Sequence, residues 1–172
     1  MSTPREDMIQ AKSAKKGEKP EDAIKLLMTE HREVEALFKK FEKAKEDDAE
    51  KADIVAQICE ALSTHAEIEE EIFYPAARDA LSEKGEDLLD EAEVEHASIK
   101  SLVAQLEEAE PDDDLYDAKV KVLTEYVQHH VKEEEGELFP KVRKTDLDLN
   151  QLGAEMFERK VELTGGEEDD SN

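Results

Sequence analysis

Apolar residues return every three or four positions along most of this chain, the period of amphipathic helices. The first stripe is Ile24, Leu27, His31, Val34, Phe38 and Phe41, opened by Pro20, Glu21 and Asp22 and running to about Ala44. A second stripe, Ile54, Ile58, Ala61, Leu62, His65, Ile68 and Ile72, predicts a helix from near Ala49. Pro75 is expected to kink or end it, because proline lacks the amide hydrogen and its ring meets the carbonyl four residues back. Helical pattern resumes over Ala76 to Leu81 and stops at Lys84-Gly85, a cation followed by a C-terminal glycine.

The third stripe is Leu89, Ala92, His96, Ile99, Val103 and Leu106, ending before Pro111. Asp112, Asp113 and Asp114 then place negative charge where a helix dipole favours it. The fourth helix reads Leu115, Val122, Leu123, Tyr126, Val127, His130, Glu134 and Leu138, reaching Pro140. A shorter stripe, Leu149, Leu152, Met156, Phe157 and Val161, predicts an additional C-terminal helix that caps the rest. Alternating β-branched runs are missing, so the expected fold is all-α: an up-down-up-down four-helix bundle over residues 20–144 with a short helix at 145–163. Residues 1–19, poor in apolar side chains, are expected to form a mobile arm, and residues 164–172 a disordered acidic tail.

Composition narrows the class. A length of 172 residues suits one domain. The formal net charge of −25 argues against nucleic acid and anionic membrane surfaces, which need clustered Lys and Arg. No apolar run approaches the ~20 residues of a membrane span, and no apolar signal core opens the chain, so a cytoplasmic protein is expected. Cys59 is the only cysteine, which rules out an intrachain disulfide and a thiolate metal cluster within one chain. A buried structural thiol is its expected role.

Chemistry enters with the histidines. His31, His65, His96 and His130 fall on the apolar faces of four successive helices, 34, 31 and 34 residues apart. In a bundle with short loops, such mid-helix positions meet at one level of the core. One histidine on an apolar face is ordinarily a core residue with a satisfied hydrogen bond. Four together, with carboxylates beside two of them, are a different matter. THAEIEEEIFYP (Thr64 to Pro75) and HHVKEEEGELFP (His129 to Pro140) match at His65 with His130, Glu69 with Glu134, Glu70 with Glu135 and Pro75 with Pro140. Residues four apart lie about 6 Å along a helix on one face, so His65/Glu69 and His130/Glu134 each present an imidazole and a carboxylate side by side.

Burying these groups without a cation would cost several kcal/mol, and a metal removes that cost. Imidazole with carboxylate and no thiolate suits iron, manganese or zinc, and two facing claws suit a pair of ions bridged by the carboxylates. Six protein ligands leave each ion an open position, where a small molecule can bind.

These motifs resemble the hemerythrin-like proteins of the HHE type, which carry His, His-x-x-x-Glu, His and His-x-x-x-Glu in that order. Here they are EHREVEALF with His31, THAEIEEEIFYP with His65 and Glu69, EHASIKSL with His96, and HHVKEEEGELFP with His130 and Glu134. The resemblance implies a four-helix bundle around two non-heme iron ions, an oxo- or hydroxo-bridged di-iron centre, binding dioxygen, nitric oxide or peroxide. It also implies a departure: the oxygen carriers use a fifth histidine one turn before the third-helix ligand, and that place is Ala92. This favours sensing, stress response or a reactive centre over stable oxygen carriage. Alternatives in keeping with the motifs are an enzyme consuming peroxide or nitric oxide or supporting iron-sulfur repair, and an iron-binding bundle without ligand chemistry. No protein partner is indicated. Lesser candidates are Tyr126, one turn before His130, as a donor to a bound ligand; Glu35 as a partner of the His31 ring; Glu93 as a substitute ligand; and Gly136, which suggests close helix approach or a widened turn.

The register of the fourth helix is testable. His129/Glu133 and His130/Glu134 both have claw spacing, but only the latter pair precedes Pro140 by the same intervals at which His65 and Glu69 precede Pro75. His130→Ala is therefore expected to lose most of its metal while His129→Ala retains it. Likewise Glu134→Ala should lose far more than Glu133→Ala, as measured by metal analysis of each purified variant.

Overall fold

The computed structural model describes residues 21–44 and 46–165. The expected arm at residues 1–19 lies outside them, as do Pro20 and all but the first two residues of the acidic tail. Among the described residues every regular element is helical: α1 (Ala23–Ala44), α2 (Asp48–Ile68), α3 (Tyr74–Leu81), α4 (Glu86–Glu107), α5 (Tyr116–Glu133), α6 (Phe139–Arg143) and α7 (Leu149–Leu163). None of these helices is long and apolar enough to cross a membrane. Aspartates open three of them. The carboxylates of Asp22, Asp47 and Asp148 accept from the amides of Lys25, Glu50 and Gln151 at 2.8, 3.0 and 3.1 Å, satisfying donors that a helix start leaves unpaired.

The second and fourth long helices do not break at their prolines. Each first widens into a π turn, Glu69–Phe73 before α3 and Glu134–Leu138 before α6. The amides of Tyr74 and Phe139 donate to the carbonyls of Glu69 and Glu134, five residues back. Pro75 and Pro140 then sit in the first turn of the following helix, where a missing amide costs little. Pro75 thus does not end the helix, which passes it with an inserted residue and continues through to Leu81. Gly136 lies inside the second π turn and a Cβ on it would meet nothing within 4 Å, so the widened turn accounts for it and close helix approach does not.

Two apolar clusters make up the core of the bundle. One gathers Val34, Phe38, Phe41, Ile58, Leu62, Ile99, Val103, Leu123 and Val127; the other gathers Ile24, Leu27, Ile68, Phe73, Ala92, Leu138, Phe139 and Met156. On α1, α2 and α4 the histidine falls between a residue of one cluster and a residue of the other, for example Leu27, His31 and Val34, and beyond His130 of α5 the second cluster resumes at Leu138 of the π turn. The polar layer therefore divides the core. Cys59 is buried, with its thiol pushed up to about 11 by desolvation and the charge of Glu107, consistent with a structural thiol.

Two expectations need correction. Leu115 and Val122 are 61% and 36% exposed, because α5 buries the neighbouring stripe Tyr116, Val120, Leu123, Val127 and Val131. The end of α3 is not made by glycine: Ser82 takes a positive φ of 55° with ψ −139°, and Gly85 has an ordinary φ of −103°. Gly85 is small for another reason, since a Cβ there would lie 2.3 Å from Leu81 Cδ1.

The C-terminal helix α7 packs on α1 through Leu152, Gly153 and Met156. A Cβ at Gly153 would lie 2.2 Å from the Glu21 carbonyl oxygen and 2.8 Å from the Ala23 nitrogen, backbone that has little room to retreat. Gly153→Ala is expected to cost about 1–3 kcal/mol by overpacking. Gly136→Ala, with open space around it, should be neutral or stabilising by up to about 1 kcal/mol. Denaturant unfolding of the two variants checks both.

Candidate metal centre

All six residues singled out above converge. His31 comes from α1, His65 from α2, His96 from α4 and His130 from α5, while Glu69 and Glu134 are the first residues of the two π turns. Both carboxylates and three of the imidazoles are buried, and His65 is 11% exposed. The carboxylates divide their oxygens between two groups of nitrogens. On one side, His65 Nε2 lies 3.3 Å from Glu69 Oε2 and His31 Nε2 lies 3.2 Å from Glu134 Oε1. On the other, His96 Nε2 lies 3.0 Å from Glu69 Oε1 and His130 Nε2 lies 3.2 Å from Glu134 Oε2. Within each group the donor atoms lie within 4.8 Å of one another, the span of atoms that share one ion. Glu69 and Glu134 belong to both groups.

A ring of four further glutamates fixes the imidazoles. Glu30 Oε1 lies 2.7 Å from His65 Nδ1, Glu70 Oε2 2.7 Å from His96 Nδ1, Glu95 Oε1 2.7 Å from His130 Nδ1, and Glu135 Oε2 2.6 Å from His31 Nδ1. Each of these glutamates adjoins in sequence one of the six central residues yet serves the histidine of the next helix, so the bonds close a circle through α1, α2, α4 and α5. A carboxylate on Nδ1 keeps the proton there and leaves Nε2 facing inward as a lone-pair donor. Cations steady part of the ring from outside: Lys100 on Glu70 at 2.7 Å, Lys160 on Glu30 at 2.9 Å, and Arg32 on Glu135.

The electrostatics follow from burial and proximity. Desolvation works against charge on Glu69, but the imidazoles of His65, His130 and His96 hold it well below the usual carboxylate range. Burial likewise opposes charge on His65 and His130, yet Glu69 and Glu30 raise the first, and Glu134, Glu69 and Glu95 raise the second, well above an ordinary histidine. Glu134 is lowered less, because desolvation and its neighbour Glu69 oppose what His130 and His31 supply. Without a cation the carboxylates thus favour the protonated form of His65 and His130. Even so, buried His31 Nε2, His65 Nε2, Glu69 Oε2 and Glu134 Oε1 make no well-directed hydrogen bond, although they lie 3.2–3.3 Å apart in pairs, and all four belong to one group. Buried polar atoms are nearly always satisfied. Four orphans converging on one point are the donor set a metal ion would complete.

The second group is closed by a residue that the sequence did not single out. The Tyr74 hydroxyl donates to Glu134 Oε2, and it lies 3.0 Å from Glu69 Oε1 and 3.3 Å from each of His96 Nε2 and His130 Nε2. Burial and the two carboxylates push its pKa well above that of a free phenol. The π turn brings it there, since the extra residue sets position 74 above Glu69, where an unbroken helix would set position 73. Tyr126, the expected candidate, is 45% exposed and plays no part. Glu35 pairs with Arg32 at 3.7 Å while Glu135 serves the His31 ring, and Glu93 is exposed. The register expectation agrees with the burial: His130 is 4% exposed and His129 62%. The sequence signal for the outer ring was present, in the pairs Glu30-His31, Glu69-Glu70, Glu95-His96 and Glu134-Glu135, but its pairing runs between helices.

A bundle with this buried histidine and carboxylate layer defines a cation-binding helical protein. The model of the hemerythrin HHE cation binding domain matches residues 22–142, and the chain belongs to that family. A protein from Nostoc sp. (strain PCC 7120) described as a DNA nickase is 30% identical over 139 residues, 81% of this chain and 36% of that protein. The chain thus spans about a third of that relative's length. The crystal structure of a hemerythrin HHE cation binding domain-containing protein from Mycobacterium kansasii superposes with a TM-score of 0.72 at 23% identity, covering 85% of this chain and 89% of that one. That likeness is one of fold.

Tyr74 supplies the test of this geometry. In chelator-treated protein, Tyr74→Phe removes the donor shared by two buried carboxylates and is expected to cost about 1–3 kcal/mol in urea unfolding. Tyr126→Phe, at an exposed site, should stay within ~0.5 kcal/mol of the parent.

Proposed function

We propose that this protein holds a non-heme di-iron centre and binds a small oxidant, dioxygen, nitric oxide or peroxide, in sensing or stress response. His31, His65, Glu69 and Glu134 would hold one ion; His96, His130, Glu69 and Glu134 the other, with the Tyr74 oxygen beside it. The observation that carries this reading is the division of each carboxylate's two oxygens between two histidine pairs, the arrangement of a bridging carboxylate. The four orphaned donor atoms support it, as does the thiolate-free ligand chemistry.

When bound, a redox-active metal pair would supply an open coordination position and electrons for a small oxidant. The chain's own part is to orient and to exclude. The glutamate ring holds the imidazoles with Nε2 inward, so binding needs little reorganisation. The two apolar clusters lie on either side of the layer and limit its contact with bulk water. Tyr74 places a hydroxyl within reach of both shared carboxylates, which favours peroxide turnover as the second reading. DNA nicking is not carried over from the Nostoc protein, of which this chain spans only 36%.

Anaerobic reconstitution with ferrous iron is expected to saturate at two ions per chain, and azide added to the oxidised protein to produce a visible charge-transfer band. Saturation at one ion, or a preference for zinc at two, would overturn the bridged pair. Removing the metal should lower the thermal midpoint, equivalent to about 3–4 kcal/mol for each ion whose free concentration exceeded its Kd several hundredfold, because only the folded chain gathers these ligands. Equal melting of metal-free and loaded protein would refute this.

A further inference from the structure

Above the histidine layer the bundle is not filled. A cavity of about 310 Å³ runs from His31, His65, His96 and His130 up between the four long helices, walled by Val34, Leu37, Ala61, Ile99, Val103 and Val127. It reaches the surface between α1 and α2, where the exposed Gln57 and Glu60 and the half-buried Thr64 line it, with Lys160 of α7 alongside. Protein interiors are close-packed, with few voids larger than one water molecule. Two metal ions and a bridging oxygen would take about a water's share of volume each, ~30 Å³, leaving roughly two-thirds of this space. A diatomic molecule needs no such room. Most of the lining surface is apolar, and apolar cavities take apolar guests; one of about 150 Å³ holds benzene.

We propose that this cavity is a binding site for an unbranched aliphatic molecule of about eight carbons, its single oxygen-bearing head directed at the histidine layer and its chain lying along Val34, Ile99, Val103 and Val127. At the packing of benzene in its smaller cavity, the remaining space matches about that many carbons. The floor of the cavity is the histidine layer and its inner walls are apolar, while other polar residues that line it, among them Glu33, Gln57, Glu60 and Thr64, are exposed or half-buried. A hydrated or doubly charged ligand is disfavoured by the same walls. The inference deepens the reading above, because the assignment of an oxygen head rests on a metal pair at the floor.

The test uses 1-alkanols from ethanol to decanol as probes, titrated calorimetrically into metal-loaded and chelator-treated full-length chain, with iron content measured on the same samples. Affinity is expected to tighten about fourfold per methylene up to roughly eight carbons and then level off, following the transfer of each methylene from water. Ala61→Phe, at a half-buried position on the wall, is expected to bring the plateau at least two carbons earlier without changing iron content. Leu37→Trp gives the same reading should Ala61→Phe fail to fold, and Val94→Phe, on an exposed face, is expected to change nothing. Affinity independent of chain length, or an unshifted plateau in folded wall variants, would overturn the proposal. Protein that binds two irons but shows no chain-length dependence refutes the cavity site alone. Chain-length-dependent binding in protein that takes up no iron pair refutes the metal reading and leaves the cavity site standing.

Discussion

The structure depends on two carboxylates placed where carboxylates are most costly. Glu69 and Glu134 are essentially without solvent contact, their four oxygens shared among four imidazoles and one tyrosine hydroxyl. A buried carboxylate is tolerated when charge and hydrogen bonds surround it, and each of the four long helices must therefore deliver one imidazole to the same level. That requirement fixes helix rotation and axial position more sharply than the apolar clusters can, since leucine and valine pack acceptably in several neighbouring registers.

The outer glutamates extend the constraint around the bundle. Each binds the Nδ1 of the next helix, so no helix can turn about its axis without breaking a bond it gives and a bond it receives. The circle also ties in the C-terminal helix: Lys160 of α7 pairs with Glu30, and Glu30 holds His65. Arg159, one residue earlier, clasps both oxygens of Glu71 within the first π turn, at 2.8 and 3.3 Å. The fifth helix is thus joined to the polar layer as well as to the apolar end of the core. Most of the remaining acidic residues lie on solvated faces, and the charge excess they create is a surface property, separate from the layer.

The π turns connect local sequence to this geometry. Each begins at a central glutamate and ends just before an aromatic-proline pair, Tyr74-Pro75 or Phe139-Pro140. The inserted residue makes room for the proline ring and advances the following aromatic by one position. Tyr74 is carried over the shared carboxylates, and Phe139 is carried into a stacked contact with His31 at 6.0 Å between ring centres. One local distortion therefore accommodates a proline and furnishes one wall of the site.

The helices, their apolar faces and the six central residues could be read from the chain because they depend on spacing within a single helix. A residue four positions on lies on the same face whatever the rest of the molecule does, so His65 with Glu69 and His130 with Glu134 were legible, as was the choice of His130 over His129. The stripe of α5 was misplaced at Leu115 and Val122 because two adjacent stripes were both apolar, and only packing against α4 selects between them. What the tertiary structure alone decided was everything that crosses between helices: which glutamate meets which Nδ1, the closed circle those pairs make, and the cavity above the layer. Tyr74 fell in the same category. Its sequence position is out of phase with Glu69 in an ordinary helix, and it enters the site only because the chain inserts a residue to pass a proline, a shift in phase that side-chain periodicity does not record.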